Sequence, residues 1–315
     1  MNERENAMIA IRHGKPGWVP NYFTACRYFL HPAVRERYDS PGTGNDWFGV
    51  SWTFEPLAGA PTPSPGMKRL TDITKWRGAN LFPDFETIDW EAAVNQEMLA
   101  NIRKDILVCL LFPFGIFERM HTLMGFEDTL CNMYEEPEAF LELANAIADY
   151  KIALFEKLYP LYKPDLVEYM DDWGNETGLF FSPDLFRKFI RPATQRIIDA
   201  VKSKGVIFEL HSDGKVESLV PDMVEMGCDI WNPCQVMNDL RGLKDKYQSV
   251  LTFNCGMDNQ GVLDNFNAIE GEIRAEVRRT IDELSSGGSF MLYPSLVNQR
   301  VKAIVYDEIE KYGIL

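Results

Sequence analysis

VIFELHSDG (206–214) opens a series of four short apolar runs, and each run ends on a polar or metal-binding residue. The others are CDIWNPC (228–234), VLTFNC (250–255) and SFMLYPS (289–295). Each run is too short for a helix and is rich in branched and aromatic residues, so it predicts a buried strand. Helical segments separate the runs, which is the pattern of a parallel sheet.

The ends of these predicted strands carry three residues that can bind a metal: His211, Cys234 and Cys255. In a parallel barrel all strands point the same way, so residues at their carboxyl ends surround one opening. The three residues are separated by 22 and 20 intervening positions, close to one strand and helix each time. A catalytic zinc ion takes ligands from separate elements and keeps one position open. The sequence therefore predicts a zinc site at this opening.

Each of these residues also has an ordinary structural explanation. A histidine at a strand end can be satisfied by a backbone carbonyl group, and a cysteine is often a small buried apolar residue. Asp213, two positions after His211, is either a fourth ligand, a partner of a ligand, or the start of a turn into Gly214.

A second polar signal lies in DLVEYMDDWG (165–174), a predicted strand that ends in the acidic pair Asp171 and Asp172. Adjacent strand residues face opposite sides, so only one of the two carboxylates points into the opening. That carboxylate is expected to act as a general acid, hold a substrate hydroxyl group or bind metal. The alternative is a solvated turn.

Three further apolar runs complete a count of eight strands: VPNYFTA (19–25), WFGVSWTF (47–54) and ILVCLLFPFG (106–115). The count predicts the α/β class and a single (β/α)8 TIM-type barrel over residues 1–315. Residues 1–90 are expected to supply the first strands and an irregular N-terminal cap, because SPGTGND (40–46) and PLAGAPTPSPG (56–66) are rich in proline and glycine.

The composition excludes several classes of function. The net charge is -15 and basic residues form no stripe, which argues against nucleic acid and anionic membranes as partners. No apolar stretch approaches the roughly 20 residues of a membrane span, and the first residues lack the apolar core of a signal peptide. Six scattered cysteines fit a reducing compartment. We therefore expect a cytoplasmic protein.

Several motifs carry a family resemblance: DDWG (171–174), SPDLFRKFIRP (182–192), LHSDG (210–214) and NCGMDNQGVL (254–263). In this order they resemble the uroporphyrinogen decarboxylase superfamily, and in particular its corrinoid-linked methyltransferase branch. The resemblance extends from Phe117 to the C-terminus. NDWFGVSW (45–52) and FPDFETIDWE (82–91) are similar to anaerobic members of that branch that take methyl groups from ethers.

What the resemblance implies about zinc ligands has to be checked at each position of this sequence. Methyltransferases of this superfamily that use coenzyme M hold zinc through a His-x-Cys pair and a later cysteine. Here His211 matches, but Asp213 replaces the paired cysteine and Ser295 stands at the last-strand position. Ether-cleaving relatives use varying combinations of the same strand ends, and His211, Cys234 and Cys255 fit such a variant. The arginine-rich signature of the decarboxylase itself is not found in RHGKPGWVPNYF (12–23).

The resemblance implies a zinc-dependent methyltransferase, the O-demethylase component that moves a methyl group from an O-methylated aromatic substrate to the Co(I) corrinoid of a partner protein. Zinc would act as a Lewis acid toward the leaving oxygen, and Co(I) would supply the nucleophile. Asp172 or Asp213 is expected to orient a metal ligand or to protonate that oxygen. Three alternatives are transfer from methyl-corrinoid to a thiol, metal-free decarboxylation through the acidic residues, and a non-catalytic tetrapyrrole-binding module.

Overall fold

The computed structural model describes residues 1–39, 42–55, 60–265 and 267–315. Within these ranges the strands are β1 (Cys26–Phe29), β2 (Thr43–Asn45), β3 (Ser51–Glu55), β4 (Ala60–Pro63), β5 (Leu107–Phe112), β6 (Leu166–Met170), β7 (Gly174–Asn175), β8 (Gly178–Leu179), β9 (Ile207–His211), β10 (Ile230–Cys234), β11 (Thr252–Cys255) and β12 (Phe290–Leu292).

The α-helices in the same ranges are α1 (Glu3–Ile11), α2 (Tyr22–Ala25), α3 (Gln96–Asp105), α4 (Ile116–Met124), α5 (Phe126–Glu135), α6 (Pro137–Tyr162), α7 (Pro183–Leu185), α8 (Arg191–Ser203), α9 (Val220–Met226), α10 (Leu240–Tyr247), α11 (Glu270–Leu284) and α12 (Gln299–Tyr312). Short 3-10 or π segments lie at Ile73–Gly78, Phe85–Thr87, Phe186–Ile190, Glu217–Leu219 and Asn259–Leu263. None of the described helices combines the length and the apolar character that a membrane span requires.

Seven strands form one parallel sheet in the order β1, β5, β6, β9, β10, β11, β12. Helices follow most of these strands along the chain, as expected for parallel strands that are buried on both faces. At the far edge, Asn21 forms a parallel bridge with Leu292 of β12. Because Asn21 lies just before β1, the sheet curls back toward its own first strand. The carboxyl ends of all seven strands consequently surround one opening.

Two of the eight predicted strands differ from the structure. In VPNYFTA, the side chain of Asn21 accepts a hydrogen bond from the Phe23 amide and caps α2, so the strand begins only at Cys26. In WFGVSWTF, β3 belongs to a separate antiparallel sheet with β2 and β4. Six of the eight predicted strands therefore lie in the parallel sheet, β1 is its seventh strand, and the described part of the chain contains no eighth parallel strand.

The N-terminal cap is more regular than its composition predicts. Thr43–Asn45 and Ala60–Pro63, within the segments expected to be loops, pair with β3 on its two sides. Residues 40, 41 and 56–59 of those segments lie outside the described residues. The antiparallel pairing satisfies backbone groups that a proline-rich loop would leave to solvent.

A network of buried ion pairs connects the N-terminal cap to helices α4 and α6. Arg119 of α4 lies 3.2 Å from both Glu36 and Asp46, and Lys151 of α6 lies 2.5 Å from Glu36. All four side chains are at most 1% exposed. Buried charges persist only when they are paired and hydrogen-bonded. The network therefore holds the segment around Glu36 in one position beside the opening.

Candidate active site

The carboxyl ends of β6 and β9 bring together three of the residues that the sequence singles out. His211 is the last residue of β9, Asp213 follows two positions later, and Asp172 follows β6. One ligand atom from each lies within 4.8 Å of the other two. Nε2 of His211 is 3.6 Å from Oδ2 of Asp213, and the Asp213 amide donates a 2.8 Å hydrogen bond to Asp172. The result is an imidazole and two carboxylates in one small volume.

The other side of the His211 ring is fixed by Asn232 of β10. Nδ1 of His211 lies 2.9 Å from Oδ1 of Asn232. The Asn232 amide nitrogen donates to Glu168 at 3.2 Å and to Glu209 at 2.8 Å, so its oxygen has to face the imidazole. Nδ1 therefore carries a proton that it donates to Asn232, and Nε2 faces Asp213.

Acidic groups dominate the electrostatics of this region. Burial disfavours the imidazolium of His211, but Asp213 and Glu168 outweigh it and raise the pKa of His211 well above its ordinary value. Burial and the nearby Glu168 raise the pKa of Glu209 to about 8. Burial also raises the pKa of Asp172, which His211 partly opposes. Buried carboxylates of this kind favour a bound cation or proton.

Cys234 and Cys255 occupy a different position from His211. They are register partners in β10 and β11, a hydrogen bond links their thiols, and both are fully buried in the large apolar cluster. The preceding residue, Asn254, donates a 2.8 Å hydrogen bond to Glu209 inside the sheet. Because neighbouring strand residues face opposite sides, Cys255 faces the helices. The structure does not bring His211, Cys234 and Cys255 together as one ligand set.

A cavity of about 250 Å³, here called the His211 cavity, opens over this cluster. Its lining residues come from the ends of β9, β10, β11 and β12, and include His211, Asp213, Gln235, Met257, Tyr293 and Ser295. The ring of Tyr293 lies 6.4 Å from the imidazole and forms one wall. Asp213 is about half exposed, so the cluster is accessible to a ligand.

A second cavity of about 220 Å³ lies at the ends of β1, β5 and β6, and is here called the Glu118 cavity. It is lined by Leu30, Val34, Glu36, Arg37, Asp39, Leu111, Pro113, Phe114, Glu118 and Met170. It shares no lining residue with the His211 cavity. Met170 and His211 are register partners in β6 and β9, so neighbouring strand ends contribute to the two cavities.

The position of Glu118 depends on Asp171 and Gly115. Asp171 accepts hydrogen bonds from the amides of Phe117 and Glu118, at 3.2 and 2.8 Å, and so anchors the first turn of α4. A Cβ atom on Gly115 would lie 2.4 Å from Cβ of Asp171, so only glycine allows this approach. Asp171 thus faces α4, whereas Asp172 faces the His211 cluster.

Sequence reasoning missed Asn232 and Glu118. Asn232 lies inside the apolar run CDIWNPC, and no sequence pattern indicates that an asparagine there faces the interior of the sheet. Glu118 lies three positions after Gly115, just beyond the end of a predicted strand. The rule that identified His211, a polar residue at the carboxyl end of a buried strand, would also have selected Glu118 if extended into the first turn of the following helix.

Comparisons with known proteins agree with this architecture. The family model for uroporphyrinogen decarboxylase matches residues 48–294. A methyltransferase from Methanosarcina mazei has a similar structure, with a TM-score of 0.70 and 13% identity over 99% of each chain. A similarity at this identity shows a shared fold.

Two further solved structures are much less similar. The 3-keto-D-glucoside 4-epimerase from E. coli has a TM-score of 0.38 and 13% identity, over 69% of this chain and 82% of its own. Xylanase B from Clostridium stercorarium F9 has a TM-score of 0.39 and 11% identity, over 68% and 75%. No curated protein matches the sequence.

Proposed function

The chain belongs to the uroporphyrinogen decarboxylase family, and from that premise we propose that it is a corrinoid-dependent methyltransferase. It would take a methyl group from an O-methylated aromatic substrate and pass it to the Co(I) corrinoid of a partner protein. The fold shared with the methyltransferase from Methanosarcina mazei supports this assignment. The observation that carries it is the cluster of Asp172, His211 and Asp213 beside an open cavity at the strand ends.

The chemistry of the cluster fits a divalent metal ion. An imidazole nitrogen and two carboxylate oxygens are zinc ligands, and three protein ligands are typical of a catalytic zinc site with one open position. The ligand set proposed here is therefore His211, Asp172 and Asp213, and the two thiols predicted from the sequence are assigned to packing. A zinc ion bound there would supply Lewis acidity toward the ether oxygen of the substrate.

The residues of the chain supply orientation and charge. Asn232 holds the His211 ring with Nε2 toward the cavity. Asp172 accepts the Asp213 amide and so fixes the loop that carries the second carboxylate. Asp213, which is half exposed, supplies the second carboxylate at the edge of the cavity, where the leaving oxygen can take its proton from solvent. The nucleophile belongs to the corrinoid, so the chain itself needs none.

The acidic character of the opening also bears on the decarboxylase alternative. Glu118, Asp172 and Asp213 lie around it, and the whole chain carries a net charge of -15. A tetrapyrrole with many carboxylates would meet like charges there and would bind poorly. An uncharged ether avoids this repulsion.

The test combines metal content with the cobalt spectrum. We expect about one zinc ion per chain in the wild type, and we expect it to be lost in His211→Ala and retained in Cys234→Ala and Cys255→Ala. Zinc-loaded protein should convert the Co(I) corrinoid protein to methyl-Co(III) when an aryl methyl ether is added. His211→Ala should not.

Other results would contradict the proposal in distinct ways. Loss of zinc in the cysteine variants together with its retention in His211→Ala would reject the ligand set. Co(I) that stays unmethylated while methyl-Co(III) reacts with an added thiol would reverse the direction of transfer. Release of carbon dioxide without cobalt would indicate a decarboxylase, and a folded protein with no activity toward any partner would indicate a binding module.

A further inference from the structure

We propose that Tyr293 is a catalytic residue whose phenol hydroxyl group donates a hydrogen bond to the ether oxygen of the substrate. The bond would stabilise the negative charge that develops on this oxygen as the methyl group leaves. The inference rests on the proposed function, because it adds a residue to the same reaction. It is carried by the position of the ring, its packing and its unpaired hydroxyl group.

Tyr293 lies at the carboxyl end of β12, in the wall of the His211 cavity. Its amide donates a 2.7 Å hydrogen bond to the carbonyl group of Cys255, which continues the pairing of β11 with β12 by one residue. The centroid of its ring lies 6.4 Å from that of the His211 imidazole, and the two planes meet at 64°. A ligand that fills this cavity therefore has the phenol and the proposed metal ligands as neighbours.

Aromatic packing fixes the ring of Tyr293. Its centroid lies 5.3 Å from that of Tyr22 and 5.0 Å from that of Phe23, two residues of α2. The ring is thus held between α2 and the His211 imidazole. A donor that packing holds in place stabilises a developing charge without having to reorganise when the charge appears.

The hydroxyl group of Tyr293 is free to bind a ligand. None of the residues that the structure describes forms a hydrogen bond with it, whereas the hydroxyl group of the neighbouring Tyr22 donates to Glu168 at 2.9 Å. Burial raises the pKa of Tyr293, and the charge of Glu168 acts in the same direction. The phenol therefore keeps its proton at neutral pH and remains a hydrogen-bond donor.

The reaction needs a donor at this oxygen. The methyl carbon leaves the aryl oxygen, the electron pair of the broken C–O bond stays on that oxygen, and the new bond to carbon forms with the electron pair of Co(I). The products are the methylated corrinoid and a phenolate, which takes its proton from solvent, while Tyr293 keeps its own proton. A donor placed in advance at a developing oxyanion contributes about 100- to 1000-fold to kcat in other enzymes.

The first experiment measures binding without the corrinoid protein. It compares 4-cyanophenolate, which carries a full charge on the oxygen, with its methyl ether, 4-methoxybenzonitrile, which carries none. Isothermal titration of the zinc-loaded chain is performed at a pH at which the phenol is ionised. We expect Tyr293→Phe to weaken the binding of the phenolate about tenfold, which corresponds to about 1.4 kcal/mol, and that of the ether less than about threefold. The zinc content of the variant should equal that of the wild type.

The second experiment measures methyl transfer to the Co(I) corrinoid protein from the cobalt spectrum. Methoxybenzene has a poor leaving group, whereas the cyano group of 4-methoxybenzonitrile already draws charge away from the oxygen. We expect Tyr293→Phe to lower kcat about 100-fold for methoxybenzene and at most about tenfold for 4-methoxybenzonitrile, with little change in KM. A tyrosine that served packing alone would tolerate phenylalanine and show no dependence on the leaving group.

Two further variants serve as controls. Tyr28→Phe removes a hydroxyl group from a residue that also contacts Phe23 but does not line the cavity, and it should leave binding and kcat unchanged. Ser295→Ala removes the other hydroxyl group of the cavity wall, at an exposed position, and should lower kcat less than Tyr293→Phe does.

Four results would overturn the inference. They are no binding of the phenolate by the wild type, equal effects of Tyr293→Phe on both ligands, a loss of kcat that does not depend on the leaving group, and a larger loss in Ser295→Ala. Failure of the proposed function looks different. If Tyr293→Phe weakens the phenolate selectively but the wild type never methylates Co(I), Tyr293 stands as a donor and the methyltransferase proposal fails. If Tyr293→Phe methylates Co(I) as fast as the wild type, the reverse holds.

Discussion

Nδ1 of His211 lies 2.9 Å from Oδ1 of Asn232, so the ends of the neighbouring strands β9 and β10 are joined by their side chains. The amide nitrogen of Asn232 donates to two buried glutamates, which fixes the orientation of the amide. Metal-binding histidines characteristically use their second nitrogen in such a contact, and the contact sets the ring angle and the basicity of the ligand. Asn232 is therefore a positioning residue for the proposed zinc site.

Replacing Asn232 should weaken metal binding without removing a ligand. We expect Asn232→Ala to lower the affinity for zinc by about 10- to 100-fold, as measured by competition with a chelating dye. The matched control is Asn254→Ala, which removes the other amide that donates to Glu209 but does not touch His211. An equal loss of zinc affinity in both variants would attribute the effect to the buried glutamates instead.

The thiols of Cys234 and Cys255 give a second prediction. Both are fully buried and they contact each other, so each alanine substitution should leave a small cavity and reduce the free energy of unfolding by about 1 kcal/mol. Because the two sites share one contact, the double variant should lose less than the sum of the single variants. Urea denaturation measures this, and an additive result would contradict the packing of one thiol on the other.

Sequence patterns located most of the fold because a buried parallel strand is a short continuous apolar run, which can be recognised from the local sequence alone. ILVCLLFPFG is apolar throughout and closed by proline and glycine, and Leu107–Phe112 is a strand as predicted. VPNYFTA is also a short run with branched and aromatic residues, yet Asn21 caps a helix there, and the capping geometry decides the outcome. WFGVSWTF contains a strand, but its partners are set by distant pairing that no local pattern reveals.

The sequence predicted those residues of the candidate site that lie at the carboxyl ends of strands. The sequence singled out His211, Asp213 and Asp172 because each lies at or just after the end of a buried run, and the structure places their side chains in one cluster. The direction of Cys255 could not be predicted, since a shift of one residue in a strand moves a side chain to the opposite face. The contact between Asn254 and Glu209 shows which face is inside.

The buried charge network under the cap should be sensitive to the loss of one partner. Glu36 is 1% exposed and compensates both Lys151 and Arg119, so Glu36→Ala would leave two buried cations with less compensation. We expect the free energy of unfolding to fall by about 3–5 kcal/mol. The control is Glu86→Ala, which removes the exposed partner of Lys157 and should change stability by less than about 1 kcal/mol. Similar effects in both variants would show that burial does not strengthen the network.

Replacing the ionisable carboxyl group of Glu118 by an amide should stabilise the metal-free protein, in a manner that depends on pH. The pKa of Glu118 is raised in the folded state, so the folded state holds this proton more tightly than the unfolded state does. At pH values below the ordinary carboxylate range both states are protonated and the side chain costs nothing. As the pH rises through the ordinary pKa toward the raised one, the wild type loses stability that Glu118→Gln keeps.

The advantage of Glu118→Gln over the wild type should therefore be near zero at about pH 4 and grow to the order of 1 kcal/mol at neutral pH. Urea denaturation of both proteins at several pH values, in the presence of a chelator, measures the difference while other titrating groups cancel. Glu135→Gln, at an exposed position of α5, should show no such dependence. A Gln variant that is less stable than the wild type at neutral pH would mean that the carboxyl group of Glu118 has a stabilising partner in the folded state, and it would contradict the prediction.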